Sequence, residues 1–229
     1  MNSIKVFFIS RFETISLLTL SMVFSIILLM VRMKLTHSFF FIFLVWNLFL
    51  AIIPFCITEY LQAKEKISAI KLMFLSVIWL LFLPNSPYIV TDFFHLRLSH
   101  SNIIWLDILV VFSFALNGLL LFYFSFRDMM VLLKSKIHKK LINTIQIGVF
   151  LLTGFGVYLG RFLRYNSWEI IQNPMALFQD IFDIVLHPNH HTQAWLFTLG
   201  FGFFIAMMYY LFDLLMIKEK SISSKETIQ

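Results

Sequence analysis

The sequence predicts an all-α fold: one polytopic transmembrane helical bundle over residues 1–229, with about six spanning helices and short interfacial helices on the outer face. Three observations lead there. Hydrophobic residues make up 60% of the chain. They gather into six stretches, 14–31, 35–58, 72–91, 108–126, 141–160 and 192–212, each near the roughly 20 apolar residues that cross a bilayer as a helix. The 18 Lys and Arg residues divide unequally between the two sides that these stretches define. With the N-terminus cytoplasmic, Lys5, Arg11, Lys64, Lys66, Lys71, Arg127, Lys134, Lys136, Lys139, Lys140, Lys218, Lys220 and Lys225 share its side. Arg32, Lys34, Arg97, Arg161 and Arg164 fall opposite. Such an excess in short loops marks the cytoplasmic face, so both termini are expected inside a cell membrane, inner or plasma.

The first stretch follows Lys5 and Arg11 as a signal peptide would, yet it runs into Arg32 without a small-x-small cleavage site and is expected to remain a helix. The third ends at Leu83-Pro84-Asn85-Ser86-Pro87. Two prolines three apart cannot continue a regular helix, and Ser86 before Pro87 has the order of an N-cap and a first-turn residue. A short new helix is expected there, dipping into the outer interface, with Tyr88, Asp92, His95 and Ser99 on one face. After the fourth stretch, 127–140 is the most basic loop, and its apolar run reads as a surface helix. After the fifth, Asn166 and Glu169 have capping-box spacing.

Asn173-Pro174 then restarts the chain, and apolar residues alternate with Gln179, Asp180, Asp183 and His187 at helical spacing. The pattern predicts an amphipathic surface helix over 174–187, with Phe178, Ile181 and Val185 toward the membrane and Asp180 and Asp183 toward water. Gly156 with Gly160, and Gly202 with Ala206, are small-x-x-x-small pairs expected to bring spans five and six together in their outer halves.

The net charge of +6 does not point to nucleic acid, because the basic residues border apolar spans, where an anionic leaflet is the nearer partner. Membrane lipids are the expected partners. One cysteine, Cys56, excludes disulfides and multi-thiolate metal sites within a single chain. Asp180, Asp183, His187, His190 and His191 are metal-capable residue types whose spacing matches no metalloenzyme pattern, so no metal ligand is assigned and the cofactor stays open. Isolated Asn47, Asn117 and Gln146 read as interhelical hydrogen-bonding residues.

Six of the seven histidines fall on the outer side, and the connections 84–102 and 161–193 hold most of its polar residues. The candidate catalytic residues are Asp92, His95 and Asp107. A carboxylate three residues before an imidazole can orient it for general base work, and Asp107 opens the fourth span, where an ionisable group is costly and therefore a functional candidate. The candidate substrate-binding residues are Asn85, Tyr88, Arg161, Arg164, Asn166 and Trp168. Guanidinium forks match phosphate, and both arginines stand where the orientation rule disfavours them. Plainer readings exist for each: the wet edge of an interfacial helix for Asp92 and His95, snorkelling for the arginines, an aromatic anchor for Trp168. The sharper expectation is that Asp92, His95, Arg161 and Arg164 converge on one outer cleft, since both motifs follow spans running outward.

Pro84, Asn85, Pro87 and Tyr88, then Thr91, Asp92, His95 and Leu96, Trp105 and Asp107, and finally Gly160, Arg161, Phe162, Arg164, Asn166, Ser167 and Trp168 carry a resemblance. Together they resemble the pattern of an uncharacterised family of bacterial integral membrane proteins, domain of unknown function 1361. Ser86, Tyr165 and Glu169 stand where that pattern more often has Ala, Trp and Asp. The resemblance implies a bacterial membrane and assigns no reaction. The expected function is recognition or modification of an anionic lipid or lipid-linked envelope intermediate; a small-solute transporter and a membrane scaffold are the other classes. Polar groups continuous through the bundle would favour transport, a closed apolar bundle below an outer cleft would favour lipid recognition, and a flat outer face would favour a scaffold.

Overall fold

A computed structural model describes residues 3–64, 66–99, 103–134, 136–165 and 172–226. The elements are α1 (Ser3–Thr36), α2 (Phe43–Gln62), α3 (Ala69–Phe82), the single turn α4 (Asn85–Tyr88), a 3-10 helix η1 (Ile89–Leu98), α5 (Ile104–Lys134), α6 (Lys139–Phe162), α7 (Pro174–Leu186) and α8 (Thr192–Glu226). The described fold is all-helical. Six segments are long and apolar enough to cross a membrane: Arg11–Thr36, Phe43–Gln62, Ala69–Leu98, Ile104–Lys134, Lys140–Phe162 and Thr192–Met216. Helices that satisfy their own backbone polar groups are what a bilayer admits. Large apolar side chains such as Phe203 (71% exposed) and Ile70 (78%) cover the outside, as hydrocarbon solvent requires. An even number of crossings puts both chain ends at one end of the bundle, here the terminal end; the opposite, connection end carries η1 and α7.

Helices α1 and α5 run antiparallel and are tied by polar contacts near both ends and in the middle. At the terminal end Arg11 pairs with Asp128 and lies 3.5 Å from Glu59 of α2. In the middle Asn117 Nδ2 donates to Ser25 Oγ at 2.9 Å. At the connection end Arg32 Nε donates to Asp107 Oδ1 at 2.8 Å, with both side chains buried. Between these ties the core is apolar, built on Phe41, Leu44, Leu48, Ala51 and Phe114 on one side and on Leu61, Phe126, Met129 and Phe150 on the other. Helix α5 does not stop for a surface helix at 127: it continues to Lys134, because Met129 and Met130 complete the second core and Asp128 is buried against Arg11.

The segment after α3 departs from the expected regular helix. Ser86 is not an N-cap; it is fully buried and its Oγ donates to Ala51 O of α2 at 2.9 Å. The chain makes one α-turn and then ten residues of 3-10 helix, an unusually long run for that geometry. Small residues make room for it. A Cβ on Gly118 of α5 would collide with the Ser86 carbonyl oxygen, and one on Gly156 of α6 would lie 2.6 Å from Pro84 Cγ. One on Gly160 would lie 3.2 Å from the Tyr88 ring. The Gly156/Gly160 pair therefore does mark a close approach, but to residues 84–88 and not to the last span. The approach of α6 to α8 uses Gly154 and Gly202 instead: a Cβ on Gly154 would sit 2.6 Å from Thr198 O and 3.0 Å from Gly202 N.

Helix α7 starts where Asn173-Pro174 places it, with Pro174 in the first turn. Leu177 and Ile184 turn inward, Asp180 and Asp183 are exposed, and Met175, Phe178, Phe182 and Val185 present apolar surface outward. Ile181 is half-buried on the inward side, so the helix is apolar on both its packed and its outer flank. Tyr165 Oη donates to Asp180 Oδ2 at 2.8 Å and Trp195 Nε1 to Ile184 O at 3.2 Å, holding α7 to the ends of α6 and α8.

Candidate functional site

At the connection end, α2, the α4–η1 segment and α6 bring six polar side chains together. Asp92, 1% exposed, is the centre. Its Oδ2 accepts from Asn47 Nδ2 at 2.8 Å, and its Oδ1 pairs with Arg161 Nη2. Arg161 Nε donates to Thr91 Oγ1 at 2.7 Å, and its guanidinium carbon lies 4.5 Å from the centroid of the Tyr88 ring. Thr91 is itself anchored, donating to Tyr88 O at 2.7 Å. His95 Nδ1 stands 3.6 Å from Asp92 Oδ1, too far for a hydrogen bond, and is buried with no other partner among the described residues. The His95 ring packs on Phe43 with centroids 4.7 Å apart.

The local fold produces this cluster. In a 3-10 helix residues three apart eclipse, so Asp92 and His95 stack on one side of η1 and Thr91 follows Tyr88. Gly160, one residue before Arg161, lets Tyr88 come close enough for the guanidinium to lie over its ring. Burial of Asp92 is tolerated because a cation and an amide occupy both carboxylate oxygens; removing either would leave charge in a poorly solvating place. Arg161 uses Nε and Nη2 in this way, and no described residue accepts from its Nη1.

A cavity of about 390 Å³ meets this cluster at Asn47 and Tyr88, with Asp92 and Arg161 behind them. Its polar residues are Asn47, Asn85, Tyr88 and Tyr165, the last bonded to Asp180; most of the remaining wall is apolar, from Leu50 of α2, Leu80 of α3, Phe155 of α6 and Leu177 and Ile181 of α7 among others.

Of the four residues expected in one outer cleft, Asp92, His95 and Arg161 lie together across about seventy residues of sequence, Arg161 and Asp92 being 69 apart, and Arg164 does not join them; Tyr88 stands beside Arg161 instead. Asp107 does not orient them directly. It belongs to the Arg32 pair, because Arg32 arrives beside it on α1, and it also accepts from Ser99 Oγ, the residue that ends η1. Asp107 therefore fixes the far end of the segment that carries Asp92 and His95. Asn85 donates to Phe82 O at 2.9 Å and faces the cavity. Arg164 is exposed at the end of α6, in the left-handed region (φ 63°), and makes no described contact with the cluster. Asn166, Trp168 and the 166–169 capping box lie outside the described residues. Asn47 was expected to hydrogen-bond between helices, as it does to Asp92, and Thr91 entered only through the family pattern; neither was assigned to the site. Asn47 lies one turn into α2, at the depth of the η1 polar groups, and that depth was the available signal.

A second polar group stands on α7. Asp183 meets His187 Nδ1 and His191 Nε2 at 2.8 Å each, and these imidazoles, His191 the more strongly, hold its carboxyl below the usual carboxylate range. Among the described residues no three His, Cys, Asp or Glu side chains are placed to hold a metal ion together.

Six apolar crossings with paired charges buried between them define a multi-pass integral membrane protein. The family described as protein of unknown function (DUF1361) matches residues 46–208, well over half of the chain, and the chain belongs to that family. The matched range contains Asn47, Thr91, Asp92, His95, Asp107 and Arg161 and begins after Arg32. No curated protein and no solved structure matches the chain.

Proposed function

We propose that this integral membrane protein recognises, and through His95 and Asp92 modifies, an anionic lipid or lipid-linked envelope intermediate at its connection end. That end faces away from the cytoplasm of a bacterial cell, in the inner or plasma membrane, with both termini cytoplasmic. The observation that carries the reading is the polar cluster of Arg161, Asp92, Asn47 and Tyr88 at the edge of an apolar cavity, which has the two-part chemistry of a lipid. Arg161 offers Nη1 to a headgroup oxygen, while its pairing with Asp92 and Thr91 keeps the guanidinium plane fixed. Asp92 neutralises much of the Arg161 charge, so Arg164, exposed just beyond, supplies the net attraction for phosphate. His95, with Nδ1 beside Asp92, is the acid/base group.

Transport is the weaker reading, because the middle of the bundle is packed. Leu48, Ala51, Phe55, Phe114 and Leu121 are buried there, and the polar Thr58, Ser125 and Trp79 bond to one another or to backbone.

The site is tested by lipid that stays bound through purification. Arg161→Lys keeps a cation beside Asp92 and loses the planar fork, and is expected to lower retention of phosphate lipids about tenfold. Arg164→Lys should lower it less. Retention unchanged in Arg161→Lys overturns the headgroup role, and unchanged retention in Arg164→Lys leaves that residue as a membrane anchor. Orientation is tested separately. In a Cys56→Ser background, Asn189→Cys is expected to react with an impermeant thiol reagent on spheroplasts and Lys136→Cys only after permeabilisation; the reverse pattern inverts the topology.

A further inference from the structure

We infer that the cavity beside the polar cluster takes one hydrocarbon chain of a membrane lipid, admitted sideways from the bilayer between α3 and α7. The inference rests on the lipid reading above and adds where the chain goes. The polar lining is small: Asn47, Asn85 and Tyr88, the last next to Arg161, and Tyr165, whose hydroxyl is taken by Asp180. The remaining wall is aliphatic or aromatic and comes from four different helices. Its volume, about 390 Å³, lies within the range of about 300–1,000 Å³ typical of small-molecule sites.

Several wall residues also face outward: Trp46 is 53% exposed, Leu81 37%, Leu152 52% and Phe178 44%. The cavity therefore opens on the flank of the bundle, where hydrocarbon is the solvent. Water is a poor occupant of most of this space, since a stable buried water needs 2–4 polar partners and most of the wall is hydrocarbon. A helix from a second copy is too wide, at about 10–12 Å across with side chains. A single chain is narrow and apolar, and one entering here leaves its headgroup beside Arg161 and Tyr88. The outward apolar flank of α7, at Met175 and Phe182, keeps that helix in the interface as the outer wall of the opening.

The test uses the full chain in nanodiscs containing phosphatidylglycerol with a photoactivatable diazirine midway along one acyl chain, and the phosphatidylcholine analogue in parallel. The expected result is label concentrated on peptides containing Leu80, Leu152 and Ile181, above that on the lipid-facing Leu196 and Phe203 of α8. Ile181→Trp and, independently, Leu152→Trp fill the cavity from two different helices, α7 and α6. Each is expected to cut labelling of the other wall about tenfold, the factor carried by lost burial of about two methylene groups. Label spread evenly over α8 and the cavity walls of the unsubstituted protein overturns the inference without any variant having to fold. Cavity labelling that persists in Arg161→Lys, with no preference between headgroups, keeps the chain site and rejects the headgroup reading. A headgroup preference lost in Arg161→Lys, with the cavity unlabelled, does the reverse.

Discussion

Asp107→Ala is expected to destabilise the folded protein by about 3–5 kcal/mol, because it strands the Arg32 guanidinium in a buried place. Arg32 is 2% exposed, donates to Asp107 and to Ser38 O at 2.9 Å, and lies with its guanidinium carbon 4.8 Å from the centroid of the Phe41 ring. The backbone carbonyl and the ring cannot neutralise it. Replacing both partners, as Arg32→Met with Asp107→Leu, removes the buried charge altogether and is expected to recover most of the loss. Thermal unfolding in detergent, followed by circular dichroism, measures both. A stable Asp107→Ala single variant would mean that water reaches Arg32 in the folded protein.

Gly118→Ala is the second large effect. The added methyl meets the Ser86 carbonyl oxygen, a backbone atom that cannot rotate away, and the Ile89 side chain 3.3 Å off on the same approach. Overpacking of this kind costs about 1–3 kcal/mol, with more expected where backbone must move. Displacing Ser86 also strains its bond to Ala51 O and shifts Tyr88 under Arg161, so lipid retention should fall together with stability. Gly148→Ala is the contrast: it lies in the same class of helix interior with nothing near its Cβ position, and should be neutral or stabilising by up to about 1 kcal/mol. Equal behaviour of the two variants would show that residues 84–89 do not press on α5.

The spans were legible because hydropathy over twenty residues depends on composition and hardly at all on partners. The site was legible in part for a different reason. Arg161 and Asp92 are charges that a bilayer tolerates only when matched, and the alternation of spans puts them at the same end. Four such charges lie there, Arg32, Asp92 and Asp107 buried and Arg161 partly so, and opposite signs can pair in two ways. Sequence separation does not decide between them; packing does, since α1 brings Arg32 to Asp107 on α5 while α6 brings Arg161 to Asp92 on η1. Grouping Asp107 with Asp92 and His95 as one catalytic set overlooked Arg32 as its partner. The 3-10 geometry of η1 was hidden because Asp92, His95 and Ser99 suit either helical period over so short a run. Its ends are set by Ser86 on α2 and Ser99 on α5, contacts that no local pattern announces. The glycine pair in α6 announced a close approach but not its partner, since a gap on a helix face says only that something fits.

The polar ties between α1 and α5 also bear on the order of synthesis. Arg32 and Asp107 are 75 residues apart, so a ribosome adding about 5–20 residues per second leaves Arg32 without its partner for roughly 4–15 s. During that interval α1 must be accepted by the membrane alone. Both of its arginines in these ties stand near the ends of the span, where a long side chain reaches water, and the tie at mid-depth is a serine that satisfies itself by donating to Ser21 O at 3.1 Å. The placement of charge along α1 therefore suits a helix that waits in lipid for a later one, and the completed pairs record the arrival of α5.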